Sequence, residues 1–143
     1  MAHVVIIGAS TGGLPAAYDL HSTLGKQLQI TVISNSDTFH FVPSIPWVAV
    51  GWRSRQDTTF ELAPYLSKKN IAYIPMTAQE IKPDDNQVIL ADGRVVDYDY
   101  LVIATGPKLA FDEVDGLGPW GYTHSVCTID QAEKTYAAWQ EFL

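Results

Sequence analysis

The chain has 143 residues, 47% of them hydrophobic, and 9 basic against 16 acidic residues leave a net charge of −7. That length suits one domain with a core of its own, and ten Gly and eight Pro among so many aliphatic residues read as ordered turns, not disorder. An acidic chain without a basic stripe excludes a nucleic-acid backbone as partner, and a single cysteine, Cys127, excludes an internal disulfide or a cysteine zinc cage. No signal-peptide pattern precedes the first strand-like run, and no apolar stretch reaches the roughly 18 residues of a membrane helix. The expectation is a soluble, cytoplasmic α/β chain.

Residues 3–7 (His-Val-Val-Ile-Ile) are a short, mostly apolar, β-branched run of the kind that forms a parallel strand covered on both faces. They stop at Gly8-Ala-Ser-Thr-Gly-Gly13. From Leu14 to Leu24 the residues Leu14, Ala17, Tyr18, His21 and Leu24 recur at helical spacing, with Pro15 tolerated in the first turn and Gly25 as the stop. Residues 30–33 (Ile-Thr-Val-Ile) make a second strand. Between Phe39 and Trp52 aromatics and the prolines Pro43 and Pro46 predict a long ordered loop.

Leu62 to Asn70 predicts a short helix, with Pro64 in its first turn and Lys68 and Lys69 at the negative end of its dipole. Residues 71–74 are a strand. Residues 78–82, 87–91 and 94–97, joined by Asp/Asn/Gly turns, predict a three-stranded β-meander. Tyr100 to Ala104 is another strand of the buried type, ending in Thr105-Gly106-Pro107. After a Gly/Pro-rich connection, Thr128 and Gln131 have capping-box spacing. The helix they begin gathers Ile129, Ala132, Tyr136, Trp139 and Leu143 on one face. No internal repeat or low-complexity segment is present.

The strongest chemical signal is Gly8-x-Ser10-x-x-Gly13 between a strand and a helix in a βαβ unit. The first glycine permits the tight turn, the last lets helix and strand pack closely, and the N–H groups of the helix start attract a pyrophosphate. The middle position is usually glycine. Ser10 puts a Cβ there, which either crowds the ligand or offers a hydroxyl to a phosphate oxygen. The pattern alone is a weak signal, and its place between strand and helix favours a nucleotide over a merely structural turn. At the end of the second strand, where an acid ordinarily holds the ribose hydroxyls, stand Ser34 and Asn35, with Asp37 close by. Asn35 reads either as a ribose contact or as a polar strand end. No Arg follows that strand closely, which speaks against a 2′-phosphate.

The meander separates NAD from FAD. A plain doubly wound NAD domain alternates strand and helix, whereas βαβ, helix, meander and a return strand ending in Ala-Thr-Gly is the order of two-dinucleotide-domain flavoproteins. Thr105 then supplies a hydroxyl, and Gly106 lets the backbone pass close to the cofactor; alone, Thr-Gly-Pro is an ordinary strand exit. The fold class expected is therefore α/β, a Rossmann-like FAD-binding domain over residues 1–110 with a parallel sheet and a three-stranded β-meander. Residues 111–143 form a connection and an amphipathic helix.

Four segments resemble sulfide:quinone oxidoreductase, within the FAD-dependent pyridine nucleotide-disulfide oxidoreductases. They are Gly8-Ala-Ser-Thr-Gly-Gly13, Phe41-Val-Pro-Ser-Ile-Pro-Trp47, the run from Tyr98 to Phe111, and Val126-Cys-Thr-Ile-Asp130. The resemblance implies an FAD enzyme that oxidises sulfide and passes two electrons through flavin to a quinone. By position it implies pyrophosphate contacts at Gly8, Ser10, Thr11, Gly12 and Gly13, and ribose contacts at Ser34 and Asn35. It implies Pro43 and Ser44 along the flavin, Ala78 near the adenine, and Thr105 and Gly106 against the cofactor. Cys127 matches one of the family's three redox-related cysteines.

Members of that family are much longer, so the chain reads as the N-terminal FAD-binding portion, lacking a second domain, two cysteines and the quinone and membrane contacts. With one cysteine, no relay between cysteines within the chain is chemically possible. The expectation is an FAD-binding part inactive by itself, membrane-associated only in a longer form. Apart from the resemblance, Cys127 is either an inert small hydrophobe or a thiol activated by the following helix start. His3, His21, His40 and His124 lack metal-ligand spacing. The alternative reading is a non-catalytic nucleotide-binding module that self-associates, as a homo-oligomer, through its last helix and the 39–52 loop.

Overall fold

The structure, a computed structural model, describes residues 1–143. Strand β1 (Ala2–Ile7) runs parallel to β2 (Leu28–Ser34) on one side and to β9 (Tyr100–Ile103) on the other. With β5 (Ala72–Pro75) beyond β2, the four-stranded parallel sheet has the order β5-β2-β1-β9. Helix α1 (Gly13–Leu24) supplies the crossover from β1 to β2 and ends at Gly25, whose φ is +50°.

Alternation along β1 sends successive side chains to opposite faces of the sheet. Val5 and Ile7 join Ile33 in a fully apolar cluster with Val88 and Leu90 of the meander, β6 (Ala78–Lys82), β7 (Gln87–Leu90) and β8 (Val95–Asp97). Ile6 points the other way, toward the start of α1 at Gly13. The meander is antiparallel in the order β6-β7-β8. Its turns use Asn86, at φ +55°, and Gly93, at φ +85°, where a left-handed residue is needed.

Three sequence expectations change. The 39–52 segment is not loop throughout: a 3₁₀ turn over Val42–Ser44 leads into helix α2 (Ile45–Ala49). Pro43 and Pro46 stand in the first positions of these two turns, where proline costs no hydrogen bond, so they start helix instead of breaking it. Helix α3 (Leu62–Ser67) stops short of Asn70. Asn70 takes a left-handed conformation, and the Ile71 N–H turns back to the carbonyl of Leu66. β9, expected to be covered on both faces, is an edge strand with Tyr100 and Ile103 exposed.

The chain forms two compact units, each made of two segments. The first comprises Met1–Phe39 and Glu61–Gly106 and holds the parallel sheet, α1, α3 and the meander. The second comprises His40–Phe60 and Pro107–Leu143. Two of the three unit boundaries fall inside the short strands β3 (Thr38–His40) and β4 (Thr59–Glu61), and the third follows Gly106.

In the second unit α2 packs against helix α4 (Ile129–Phe142) through Ile45, Val48, Ala49, Ile129 and Ala132. α4 has the cap its sequence predicts: Thr128 Oγ1 accepts from the Gln131 N–H at 3.3 Å. The reciprocal half of the capping box is missing, because Gln131 Oε1 instead accepts from the Ser125 hydroxyl at 2.7 Å. Of the α4 face gathered at the sequence level, Ile129 and Ala132 are buried, whereas Tyr136, Trp139 and Leu143 are exposed. No helix is long and apolar enough to cross a membrane.

Candidate functional site

Parallel β1 and β2 end side by side, and Gly8 leaves the sheet at the carboxyl end of β1 with φ +102°. A Cβ on Gly8 would stand 2.7 Å from the carbonyl carbon of Ala104, so only glycine lets the chain pass the end of β9 here. Gly13, the first residue of α1, is required for a different reason: its Cβ would lie 2.9 Å from the carbonyl carbon of Gly8, closing the turn on itself.

Gly12 is unlike both. Its φ of −94° suits any residue, and an added Cβ would touch only the Ala104 side chain, at an ordinary 3.7 Å. The fold therefore does not need glycine at 12. The exposed Thr11 and Gly12 direct no N–H to a backbone carbonyl, and the Ser10 carbonyl is taken by the N–H of Leu14 at 3.1 Å. The turn thus offers N–H groups, with no side chain standing over them at 12, at the positive end of a 12-residue helix.

Beside this turn a cleft of about 170 Å³ opens at the carboxyl ends of the central strands. It is walled by Ile7, Gly8, Ile33, Ser34, Asn35, Met76, Thr77, Ala78 and Thr105. Four separate stretches of sequence converge there: the exits of β1 and β2, the residues leading into β6, and Thr105 after β9. Of the residues singled out from sequence, Gly8, Ser34, Asn35, Ala78 and Thr105 line this cleft. Ser10, Thr11, Gly12 and Gly13 form the turn that departs from it. Gly106, next to Thr105, has φ +72° with open space around its missing side chain.

Met76 and Thr77 were missed by sequence reasoning. Their one signal is adjacency to Ala78, since a residue flanking a strand start shares its surroundings. The lining carries no charged side chain.

Behind Ser34 and Asn35 the chain is tied at nearly every polar group. The Ser36 N–H donates to Ser34 Oγ at 3.3 Å, and the Ser36 hydroxyl donates to the Thr38 carbonyl at 3.0 Å while accepting from the Thr38 N–H at 3.2 Å. The Tyr73 phenol donates to the Ser36 carbonyl at 2.6 Å, and the Leu62 N–H donates to the Asp37 carbonyl at 2.8 Å. Burial first, and then the Asp37 carboxylate, raise the Tyr73 phenol above its ordinary pKa, which keeps it a donor.

Pro43, Ser44 and Cys127 belong to the second unit. Pro43 is exposed, and Ser44 is buried with its N–H on the Phe41 carbonyl at 2.9 Å. Cys127 is a free, exposed thiol immediately before the α4 cap. Its own N–H donates to Ser125 Oγ at 3.2 Å, and the Ser125 carbonyl accepts from the Thr135 hydroxyl at 2.9 Å, so a buried serine fastens this segment to α4. Across the same unit Arg55 forms ion pairs with Asp130 and Glu133 in the first turns of α4, its Nε donating to Glu133 Oε1 at 3.0 Å. His40 has a buried Nδ1 with no hydrogen-bond partner, and burial, followed by the charge of Arg55, lowers its pKa.

A glycine turn that opens a helix beside a cleft at the carboxyl ends of parallel strands defines a dinucleotide-binding α/β protein. The meander packed on one face of that sheet is the added element expected of a flavoprotein. The family model of the pyridine nucleotide-disulphide oxidoreductases matches residues 2–141, and the chain belongs to that family. It is similar to the sulfide-quinone reductase of Aquifex aeolicus, with 43% identity over 97% of this chain and 31% of that protein. The solved structure of the sulfide:quinone oxidoreductase from the same bacterium superimposes with a TM-score of 0.88 and 41% identity, over 99% of this chain and 32% of that one. The mitochondrial sulfide:quinone oxidoreductase of Dictyostelium discoideum is 31% identical over 93% of this chain and 30% of its own length. The chain thus spans about a third of the length of these curated relatives.

The proteins of this family are FAD-binding flavoproteins, and FAD is the cofactor of the fold. The residues present fit it: the N–H groups of Thr11 and Gly12 have no backbone acceptor, Gly12 places no side chain beside them, and the adjoining cleft is uncharged and lined with hydroxyls and an amide.

Proposed function

We propose that this chain is the FAD-binding part of a flavoprotein that carries electrons from sulfide to a quinone, and that it does not turn over by itself. The observation that carries this is the pairing of an open glycine turn with a neutral cleft in a chain of this family. The turn Ser10–Gly13 holds the pyrophosphate, Ser34 and Asn35 the adenosine ribose, Ala78 the adenine side, and Gly8, Thr105 and Gly106 the approach of the cofactor to the strand ends. Pro43 and Ser44 lie along the flavin. FAD, when bound, supplies two-electron redox chemistry that no side chain of this protein provides. Cys127 is the redox thiol of the chain, and its exposure before a helix start supports the role.

Two observations favour incompetence of this length of chain. The cleft of about 170 Å³ is small against the roughly 300–1,000 Å³ of pockets that enclose whole ligands. A single cysteine offers no second sulfur to which oxidised sulfur passes. The test is anaerobic addition of sulfide to the FAD-loaded protein, followed by flavin absorbance. The spectrum is expected to stay oxidised beyond the slow rate of free flavin, and rapid bleaching that a quinone reverses would refute the incompetence.

A second reading, a module that self-associates through α4, rests on one feature. Trp139 and Phe142 stack at 5.9 Å between ring centroids on the exposed side of the helix, with Phe142 80% exposed. Light scattering decides it: a mass that rises with concentration supports the reading, and a constant monomer mass removes it.

A further inference from the structure

We propose that Tyr73 is a positioning residue that makes the β2 exit a reader of ribose hydroxyls, by fixing the turn from which Ser34 and Asn35 face the cleft. The proposal rests on the FAD reading above and names the residue that gives its ribose contacts their selectivity.

In a dinucleotide fold an acidic side chain at this strand end ordinarily grips the ribose diol by accepting two hydrogen bonds. Here no carboxylate lines the cleft, so recognition depends on a hydroxyl and an amide. Such neutral groups are weaker and more dependent on angle than a carboxylate, and they discriminate only if the backbone that bears them is held still. The structure holds it from outside the turn. Tyr73 sits on β5 opposite Val32 of β2 and reaches past the strand end, its hydroxyl 2.6 Å from the Ser36 carbonyl.

That bond fixes Ser36, and Ser36 in turn fixes the reader. Its N–H occupies one lone pair of Ser34 Oγ, leaving the Ser34 hydroxyl proton for a partner in the cleft. Its hydroxyl is committed to Thr38 in both directions. The Asn35 amide, between two fixed serines, makes no hydrogen bond within the chain. Tyr73 touches none of the cleft itself, so it acts through Ser36.

The test compares ADP with 2′-deoxy-ADP and 3′-deoxy-ADP, by calorimetric titration, in the wild type, Tyr73→Phe and Ser36→Ala. The wild type is expected to prefer ADP to at least one deoxy form by about tenfold, the worth of one or two hydrogen bonds. In both variants that preference falls to within about twofold, chiefly through weaker ADP binding. A loss of general stability would weaken all three ligands alike and leave the ratio untouched, so an unchanged ratio in Tyr73→Phe overturns the proposal. Should Tyr73→Phe fail to fold by circular dichroism, the ratio is read in Tyr73→Leu, which also removes the phenol from the Ser36 carbonyl, and an unchanged ratio there overturns the proposal equally. A wild type that binds FAD and ADP without preferring the full ribose sinks this inference alone. A wild type that binds neither FAD nor ADP removes the FAD reading and the inference with it.

Discussion

A Cβ placed on Gly13 would overlap the carbonyl of Gly8, lying 2.9 Å from its carbon, so the first helical residue and the glycine of the strand exit are packed backbone to backbone. Gly12, one residue earlier, has no such neighbour. Gly13→Ala is therefore expected to destabilise the protein by about 1–3 kcal/mol, the cost of overpacking a tight site. Gly12→Ala should stay within about 1 kcal/mol of wild type, the ordinary range for an N-cap change, yet bind FAD at least about tenfold more weakly. Thermal melts with parallel FAD titrations separate the two. Equal loss of stability at both positions would contradict the assignment of Gly12 to the ligand.

In the second unit, Arg55 ties the 40–60 segment to the first turns of α4 through two carboxylates that are themselves well exposed. Solvent screening limits such a pair to about 1 kcal/mol, and Arg55→Met should cost no more than that. Hydrogen bonding to Arg55 holds the Glu133 carboxyl below its ordinary pKa. Its contribution is present above the unfolded value of about 4.3 and is lost as pH falls through the lower folded value. Urea denaturation at pH 3.5 and pH 7 should therefore show a smaller acid-dependent loss in Arg55→Met than in the wild type.

His40 titrates in the opposite part of the acid range. Burial and then Arg55 lower its folded pKa, partly offset by Asp130, so the native state favours the neutral ring. Its contribution is complete above the unfolded value of about 6.5 and declines as pH falls from there through the folded value. Melting temperature should drop between pH 7.5 and pH 5.5, and His40→Asn should flatten that slope. An unchanged slope would show that the buried Nδ1 does not govern it.

Cys127 is exposed and free, and no cleft-lining residue is drawn from its unit. A thiol reagent should modify one group per folded chain as readily as in denaturant. Cys127→Ser should abolish that reaction while leaving FAD affinity within about twofold of wild type, a difference below about 0.5 kcal/mol. A large loss of FAD binding in Cys127→Ser would show that the thiol is needed to hold the cofactor.

What was legible in the sequence was local. The run before Gly8, the helical spacing from Leu14 and the Asp/Asn/Gly turns of the meander each settle their own backbone, and all three elements form as read. The prolines at 43 and 46 misled because proline breaks a helix interior but opens a helix, and the two cases look alike without knowing where the turn begins. The exposure of Tyr100 and Ile103 was illegible for a different reason: an apolar strand does not carry its place in the sheet order, which depends on pairing with residues far away in the chain. The cleft shows the same division. Gly8, Ser34, Asn35 and Thr105 were each marked by a strand end and Ala78 by the family resemblance, whereas Met76 and Thr77 line it because they follow Pro75 of β5, which pairs with Ser34. Tyr73 and Arg55 gave no sign at all, since their partners, Ser36 and the pair Asp130 and Glu133, lie 37 and at least 75 residues away.

The central claim is that the glycine turn and the adjoining cleft of the first unit bind FAD, and titration of flavin fluorescence tests it most directly. Adding the purified protein to FAD should change its fluorescence in a saturable, one-to-one manner, and an excess of ADP should reverse the change while NAD leaves it unaltered. An absence of any saturable response to FAD, or displacement by NAD as effective as by ADP, would contradict the account.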